Sequence, residues 1–283
     1  MKKLLLLYLF VFGLTVCVQA QHLKVQVSGS GPKVILIPGL ASSGEVWDEV
    51  VSQLAMTHEC HVLTLPGFAE NPAADLSAGF LSTMEGLVTD YIQKQNESVI
   101  LIGHSLGGFL SLGLSKSNPQ LVKKIIIVDS YPFYSAAMNP AATEEGMKSM
   151  AQQMKEMMIS VDGEQYKAQQ EAASVMMTNN SEKAPLIVEW SVESDRNTIS
   201  QAMYELMTTD YRNELDQVKI PMLVLGAWYA GKDYGMTEAS VRETFETQYR
   251  RAPNVRIEMA PTAHHFIMWD NPAWFMQQVN AFL

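Results

Sequence analysis

Cysteine is nearly absent from this 283-residue chain, which holds only Cys17 and Cys60. Cys17 lies in an amino-terminal apolar run, so the rest of the chain has a single thiol and no intramolecular disulfide, even in an oxidising compartment. Zinc-like spacing is lacking too. His58, Cys60 and His61 lie close in sequence, but they match no common zinc pattern, and strand alternation sends Cys60 and His61 to opposite faces. No metal and no cofactor is expected. Positive charge is also scarce, with 20 Lys and Arg against 30 Asp and Glu, a net charge of −10 that becomes −12 once Lys2 and Lys3 are removed. A nucleic-acid partner, which requires a basic surface, is argued against. Repeats and low-complexity tracts do not occur.

One long apolar run is present, and it comes first. Lys2 and Lys3 precede residues 4–18, and Val18-Gln19-Ala20 supplies small residues for signal-peptidase cleavage. Residues 1–20 are expected to be a signal peptide, with a mature chain beginning near Gln21 and exported to the periplasm or beyond. A membrane anchor is the rival reading, but the run is short for a span and no charge flanks its far side. Lipidation at Cys17 is disfavoured by Val16, where a small residue is needed. No stable membrane anchor is expected.

The whole chain is 47% hydrophobic, and the part after the amino-terminal run is long enough to bury the core of one α/β domain with an insertion. Leu23 to Val27 alternates like an edge strand, whereas Val34-Ile35-Leu36-Ile37 is continuously apolar and suits a central one. Apolar runs at residues 60–65, 98–102, 123–128, 220–226 and 255–259 alternate with helical spacing at 45–56, 81–93, 238–249 and after Asn271-Pro272. Such alternation predicts βαβ units and a mostly parallel central sheet with flanking helices. The pattern breaks between Tyr131 and Asp210. No strand is legible there, and ten of the chain's eighteen methionines fall in this stretch. Met147, Met150, Met154, Met157 and Met158 share helical spacing and are expected on one face, packing a core or lining a pocket for apolar ligands. The expected organisation is a core of residues 21–130 and 211–283 and an inserted helical cap of residues 131–210.

The chemistry centres on Gly103-His104-Ser105-Leu106-Gly107, a G-x-S-x-G pattern. Alone it would arise by chance roughly 0.1 times in a chain this long. Here it follows a buried strand and opens a helix, the context of a strained turn that exposes a nucleophilic serine, with Gly103 and Gly107 letting neighbouring backbone pass. The amide of Leu106, at a helix start, points to where an oxyanion would form. Pro38-Gly39-Leu40 follows the central strand as a loop, and the Leu40 amide is the candidate second donor.

Ser105 after one strand, Asp233 after the strand near 225 and the pair His264-His265 after the last strand stand in the order Ser, Asp, His. With Val34-Ile35-Leu36-Ile37-Pro38-Gly39, Gly103-His104-Ser105-Leu106-Gly107-Gly108 and the closing His265-Phe266-Ile267-Met268-Trp269-Asp270-Asn271-Pro272, the chain resembles the α/β-hydrolase superfamily, serine esterases and lipases with a helical lid. The resemblance spans nearly all of the mature chain. It implies Ser105 as nucleophile, His265 as general base and then acid, Asp233 as the orienting carboxylate, and the Leu40 and Leu106 amides as oxyanion donors. Asp129, at the end of an earlier strand, is the alternative acid. Two positions depart from the family pattern: Pro38 stands where a His usually precedes Gly39, and Thr64 where an Asp often precedes the Pro-Gly-Phe loop. Backbone donors survive both changes.

The implied activity is that of a secreted serine hydrolase that cleaves a small-molecule carboxylic ester of an apolar acid through an acyl-enzyme. Peptidase, lactonase, C–C hydrolase and perhydrolase chemistry use the same residues. A ligand receptor that keeps the pocket is the non-catalytic alternative.

Overall fold

The computed structural model describes residues 23–283. The proposed signal peptide and Cys17 lie outside the described residues. In chain order the core opens with β1 (Lys24–Gly29), β2 (Lys33–Ile37), α1 (Asp48–Leu54), β3 (Glu59–Thr64), α2 (Phe80–Gln93), β4 (Val99–His104), α3 (Leu106–Ser117) and β5 (Val122–Val128). Five helices follow without a strand: α4 (Tyr134–Met138), α5 (Glu144–Ser160), α6 (Gly163–Met177), α7 (Ala184–Glu193) and α8 (Arg196–Thr208). The core resumes with β6 (Met222–Gly226), α9 (Glu238–Tyr249), β7 (Val255–Met259), α10 (Ile267–Asp270) and α11 (Pro272–Phe282).

Seven strands form one sheet in the order β1-β3-β2-β4-β5-β6-β7, with β1 antiparallel to β3 and every other pair parallel. The alternating, largely exposed β1 is the edge. The central strands are apolar throughout because both of their faces are covered. Ile35, Ile37, Leu101, Ile125, Ile127 and Val224 pack with α2, α3 and α9 on one side. Val34, Leu36, Ile100, Ile102, Ile126 and Leu225 pack with Trp47, α1 and α11 on the other. Cys60 joins this second layer, while His61 on the opposite face bonds the Tyr91 hydroxyl at 2.6 Å. Burial pushes the Cys60 thiol up to about 11, so it is an inert core residue.

Since β3 lies on one side of β2 and β4 on the other, the winding direction reverses between β2 and β4. Ligands bind at the carboxyl ends of strands flanking such a switch point. The loop after β2 and the serine after β4 meet there.

The helices between β5 and β6 form the cap over this edge. Glu205 of α8 reaches the core and accepts from the amides of Phe80 (2.7 Å) and Leu81 (2.8 Å), filling the orphan donors at the start of α2. The methionine expectation holds only in part. Met154, Met157 and Met158 line the cavity below the cap, but Met150 and Met157 are 58% and 61% exposed and Met147 packs against a small separate cluster of Phe133, Ala136 and Ala142. Helix α5 rests on α8 with Ala151 as its one fully buried residue, so a single narrow stripe meets the cap interior while Met150 faces outward.

Candidate active site

The turn after β4 places Ser105 at φ 52°, ψ −118°, a left-handed strained conformation for a residue with a Cβ. Neighbouring strands hold it there, since its amide donates to Val128 O at 2.8 Å. Close approach requires the flanking glycines. A Cβ on Gly103 would lie 2.2 Å from Gly107 O, and one on Gly107 would lie 2.3 Å from Ile37 O. Helix α3 therefore starts tightly against β2 and β4, with the serine at its head.

The carboxylate beside the histidine is Asp129, not Asp233. Asp129 follows β5 directly, and because His104 and Val128 are register partners, Ser105 and Asp129 emerge side by side from adjacent strands. Asp129 also has a positive φ of 47°. Its amide donates to Leu225 O (2.7 Å), its Oδ1 accepts from Ala227 N (2.8 Å), and its Oδ2 bonds His265 Nδ1 at 2.6 Å. The expected partner, Asp233, lies exposed in a 3-10 turn, Tyr229–Tyr234, and has no hydrogen bond or ion pair among the described residues. After β6 the chain rises into this turn, which carries Asp233 to the surface. What β6 contributes to the site is the Ala227 amide that holds Asp129.

Of the two histidines, His265 lines the cavity with Ser105. Its side chain is 22% exposed and that of Asp129 is 14% exposed, so the pair is largely shielded from solvent. The His264 ring instead lies 6.2 Å from Tyr229. Holding Nδ1–H on Asp129 leaves the His265 Nε2 lone pair free to take a proton.

His104 was not singled out by the sequence reading, although it immediately precedes the serine. It is fully buried, with its ring 4.5 Å from His265 and 4.7 Å from Phe266, and its Nε2 donates to His265 O at 3.1 Å. Burial drives its pKa well below the usual 6.5, and the neighbouring His265 lowers it further, against the opposing effect of the backbone bond. The ring is therefore neutral, a fixed prop under the histidine loop.

Among the described residues neither the Leu40 nor the Leu106 amide has an acceptor. Leu40 lines the cavity, and Leu106 is at the start of α3. Thr64, one of the departures from the family pattern, accepts from Gly44 N at 2.9 Å and ties the loop after β2 to β3.

Leu40, His104, Ser105, Asp129 and His265 border a cavity of about 570 Å³, within the range of small-molecule sites. Its walls are chiefly Leu40, Ile187, Ile199, Leu206, Phe266 and methionines of the cap, with Tyr131, Tyr134 and Tyr166. Burial raises all three phenols, most strongly Tyr131, where the Asp129 charge adds to it. The sole charged residue in the wall is Asp129, and no Lys or Arg lines it. Among the described residues no group of His, Cys, Asp and Glu is arranged to hold a metal ion, and no helix is long and apolar enough to cross a membrane.

Comparison with known proteins places this geometry. Two proteins named pimeloyl-[acyl-carrier protein] methyl ester esterase are similar to the chain. The one from Pectobacterium carotovorum is 26% identical over 91% of this chain and 96% of its own length. The one from Vibrio atlanticus is 23% identical over 80% and 90%. Among solved structures, MenH from S. aureus aligns with a TM-score of 0.76 at 14% identity, covering 93% of this chain and 98% of its own. An esterase from Exiguobacterium antarcticum aligns with a TM-score of 0.76 at 16% identity, covering 92% and 94%. At such identities the structural likeness speaks for the fold alone. The model of the alpha/beta hydrolase family matches residues 34–278, from the second strand into the last helix, and the chain belongs to that family.

Proposed function

We propose that the chain is a serine carboxylesterase that hydrolyses neutral esters of apolar acids, with Ser105, His265 and Asp129 as its catalytic triad. The reading is carried by one observation: the strained serine and the Asp129-paired histidine open into an apolar cavity without a cation. A substrate with a free carboxylate would bury an unpaired charge there, which is strongly disfavoured. The similar proteins named methyl ester esterases support ester chemistry. The apolar amino-terminal run supports export, and the net charge of −10 argues against an anionic polymer as partner.

In this mechanism His265 Nε2 takes the Ser105 hydroxyl proton as Oγ attacks the ester carbonyl carbon. The tetrahedral oxyanion is stabilised by the Leu40 and Leu106 amides. Asp129 holds His265 in the required tautomer and stabilises the imidazolium without taking its proton. Collapse breaks the C–O bond, and His265 returns the proton to the departing alcohol. Water, deprotonated by His265, then releases the acid and regenerates the serine.

The test is hydrolysis of p-nitrophenyl esters from acetate to decanoate by the wild type and Ser105→Ala. Turnover should favour apolar medium chains over an ester bearing a terminal carboxylate, and the variant should lose several orders of magnitude while keeping its melting temperature, because triad members act as a unit. Retention of a tenth of the rate would end the assignment. Labelling of Ser105 by a fluorophosphonate without ester turnover would favour a receptor.

A further inference from the structure

The loop that carries His265 is fastened to the cap on both sides of the histidine. On one side, Phe266 N donates directly to Met177 O at the end of α6 (3.1 Å). On the other, His264 N donates to Asp270 Oδ2 (2.8 Å), and the same carboxylate receives the cap. Its Oδ1 accepts from the Thr178 hydroxyl at 2.5 Å, and both of its oxygens lie 3.2 Å from Asn179 N. A further bond runs from Asn179 Nδ2 to Thr262 O at 2.8 Å. Asp270 is thus a single acceptor group shared between the histidine loop and the residues that end α6.

Helix α6 also touches the ligand space. Ser174 and Met177, one turn and one residue before Thr178, line the catalytic cavity. An acyl chain long enough to fill the cavity would meet this helix at Ser174 and Met177, a contact that a short acetyl group is expected to lack. The helix end cannot shift without pulling on Asp270 and Met177 O, and through them on the amides of residues 264 and 266.

We propose that Asp270 is a positioning residue that links the cap to the general base, so that an acyl chain seated under α6 sets His265 for proton transfer. The proposal rests on the hydrolytic reading of Ser105, His265 and Asp129. Asp270 touches no substrate and acts through the loop. Charged acceptors form stronger hydrogen bonds than neutral ones, which suits a carboxylate that gathers several donors, and misplacement of a catalytic group by about 1 Å costs about 10²-fold in rate.

The experiment uses the full chain with Asp270→Asn, Thr178→Val and the double variant. Thr178→Val removes the shortest of the cap's bonds to Asp270 and leaves the Asn179 N and His264 N bonds to that carboxylate in place, so it weakens the link from the cap side and serves even if Asp270→Asn folds poorly. The ratio of kcat for p-nitrophenyl octanoate to that for acetate should fall about tenfold in each single variant, with KM little changed, part of the full effect of a 1 Å misplacement. The double variant should fall no further than Asp270→Asn, because both changes break one connection. Amide hydrogen exchange at His264 and Phe266 should quicken in Thr178→Val. An unchanged ratio, additive losses, or unchanged exchange in Thr178→Val overturns the proposal. Failure of the hydrolytic reading is distinguishable, since it would show in the wild type as absent fluorophosphonate labelling at Ser105 or as labelling without ester turnover, whereas the exchange measurement needs no activity.

Discussion

In Asp129→Asn the side chain keeps its size, and its amide can face the site in two orientations with different consequences. With the amide oxygen toward Ala227 N, the bond at 2.8 Å survives, but the NH₂ now points at His265 Nδ1, which must become an acceptor. The proton then sits on Nε2, and His265 cannot take the serine proton. The same wrong-tautomer change costs about 10⁴ in kcat in the serine-protease template. With the amide flipped, its oxygen still accepts from His265, but NH₂ and the Ala227 N–H face each other in a site where Asp129 is only 14% exposed. An unsatisfied buried donor costs about 1–3 kcal/mol, which holds the flipped form to roughly 1–15% of molecules. Even that fraction lacks the anion that stabilises the imidazolium. The expected fall in kcat is therefore between about 10² and 10⁴, read with a p-nitrophenyl ester at unchanged melting temperature. Asp233→Asn, at an exposed residue without a partner among the described residues, should stay within about twofold, as surface changes do. A crippled Asp233→Asn beside a near-normal Asp129→Asn would refute the pairing.

Three further outcomes are expected. Gly103→Ala places a Cβ 2.2 Å from Gly107 O and 2.6 Å from Gly108 N, so the first turn of α3 must withdraw with Ser105. Esterase kcat/KM should drop about 10²-fold, and wild-type kinetics in a folded variant would contradict the elbow geometry. Glu205→Ala removes both acceptors at the start of α2 and should lower unfolding free energy by about 2 kcal/mol, measured by urea titration. For His104, the folded pKa lies below the ordinary 6.5, so the unfolded chain binds more protons as pH falls. Stability is full above 6.5 and declines as pH drops toward the folded value; His104→Gln should flatten that part of a melting-temperature profile.

The central strands were readable because each is a short, doubly covered apolar run, β1 was readable by its alternation, and the α9 and β7 limits match those expected from the sequence. That Ser105 and His265 would line one cavity was readable because both follow strand ends at one sheet edge. The carboxylate that pairs with His265 was not, because the choice between Asp129 and Asp233 depends on how the chain leaves β6, which spacing does not encode. Adjacency of strand ends was the usable signal: Asp129 is the first residue past β5, beside β4, whereas Asp233 is seven past β6. The role of Asp270 was also hidden. Its partners Thr178 and Asn179 lie 92 and 91 residues away in sequence, and only the fold brings them to its carboxylate. Methionine spacing marked α5 as amphipathic but did not show that one narrow face would meet the cavity.

The central claim is that Ser105 is the nucleophile that turns over esters. Its most direct test is stoichiometric reaction of the wild-type chain with a fluorophosphonate, followed by peptide mapping by mass spectrometry and an esterase assay on the same sample. One adduct on the peptide containing Ser105, with activity lost in proportion to labelling, is the expected result. Labelling of a different residue, or complete labelling of Ser105 with ester hydrolysis intact, would contradict it.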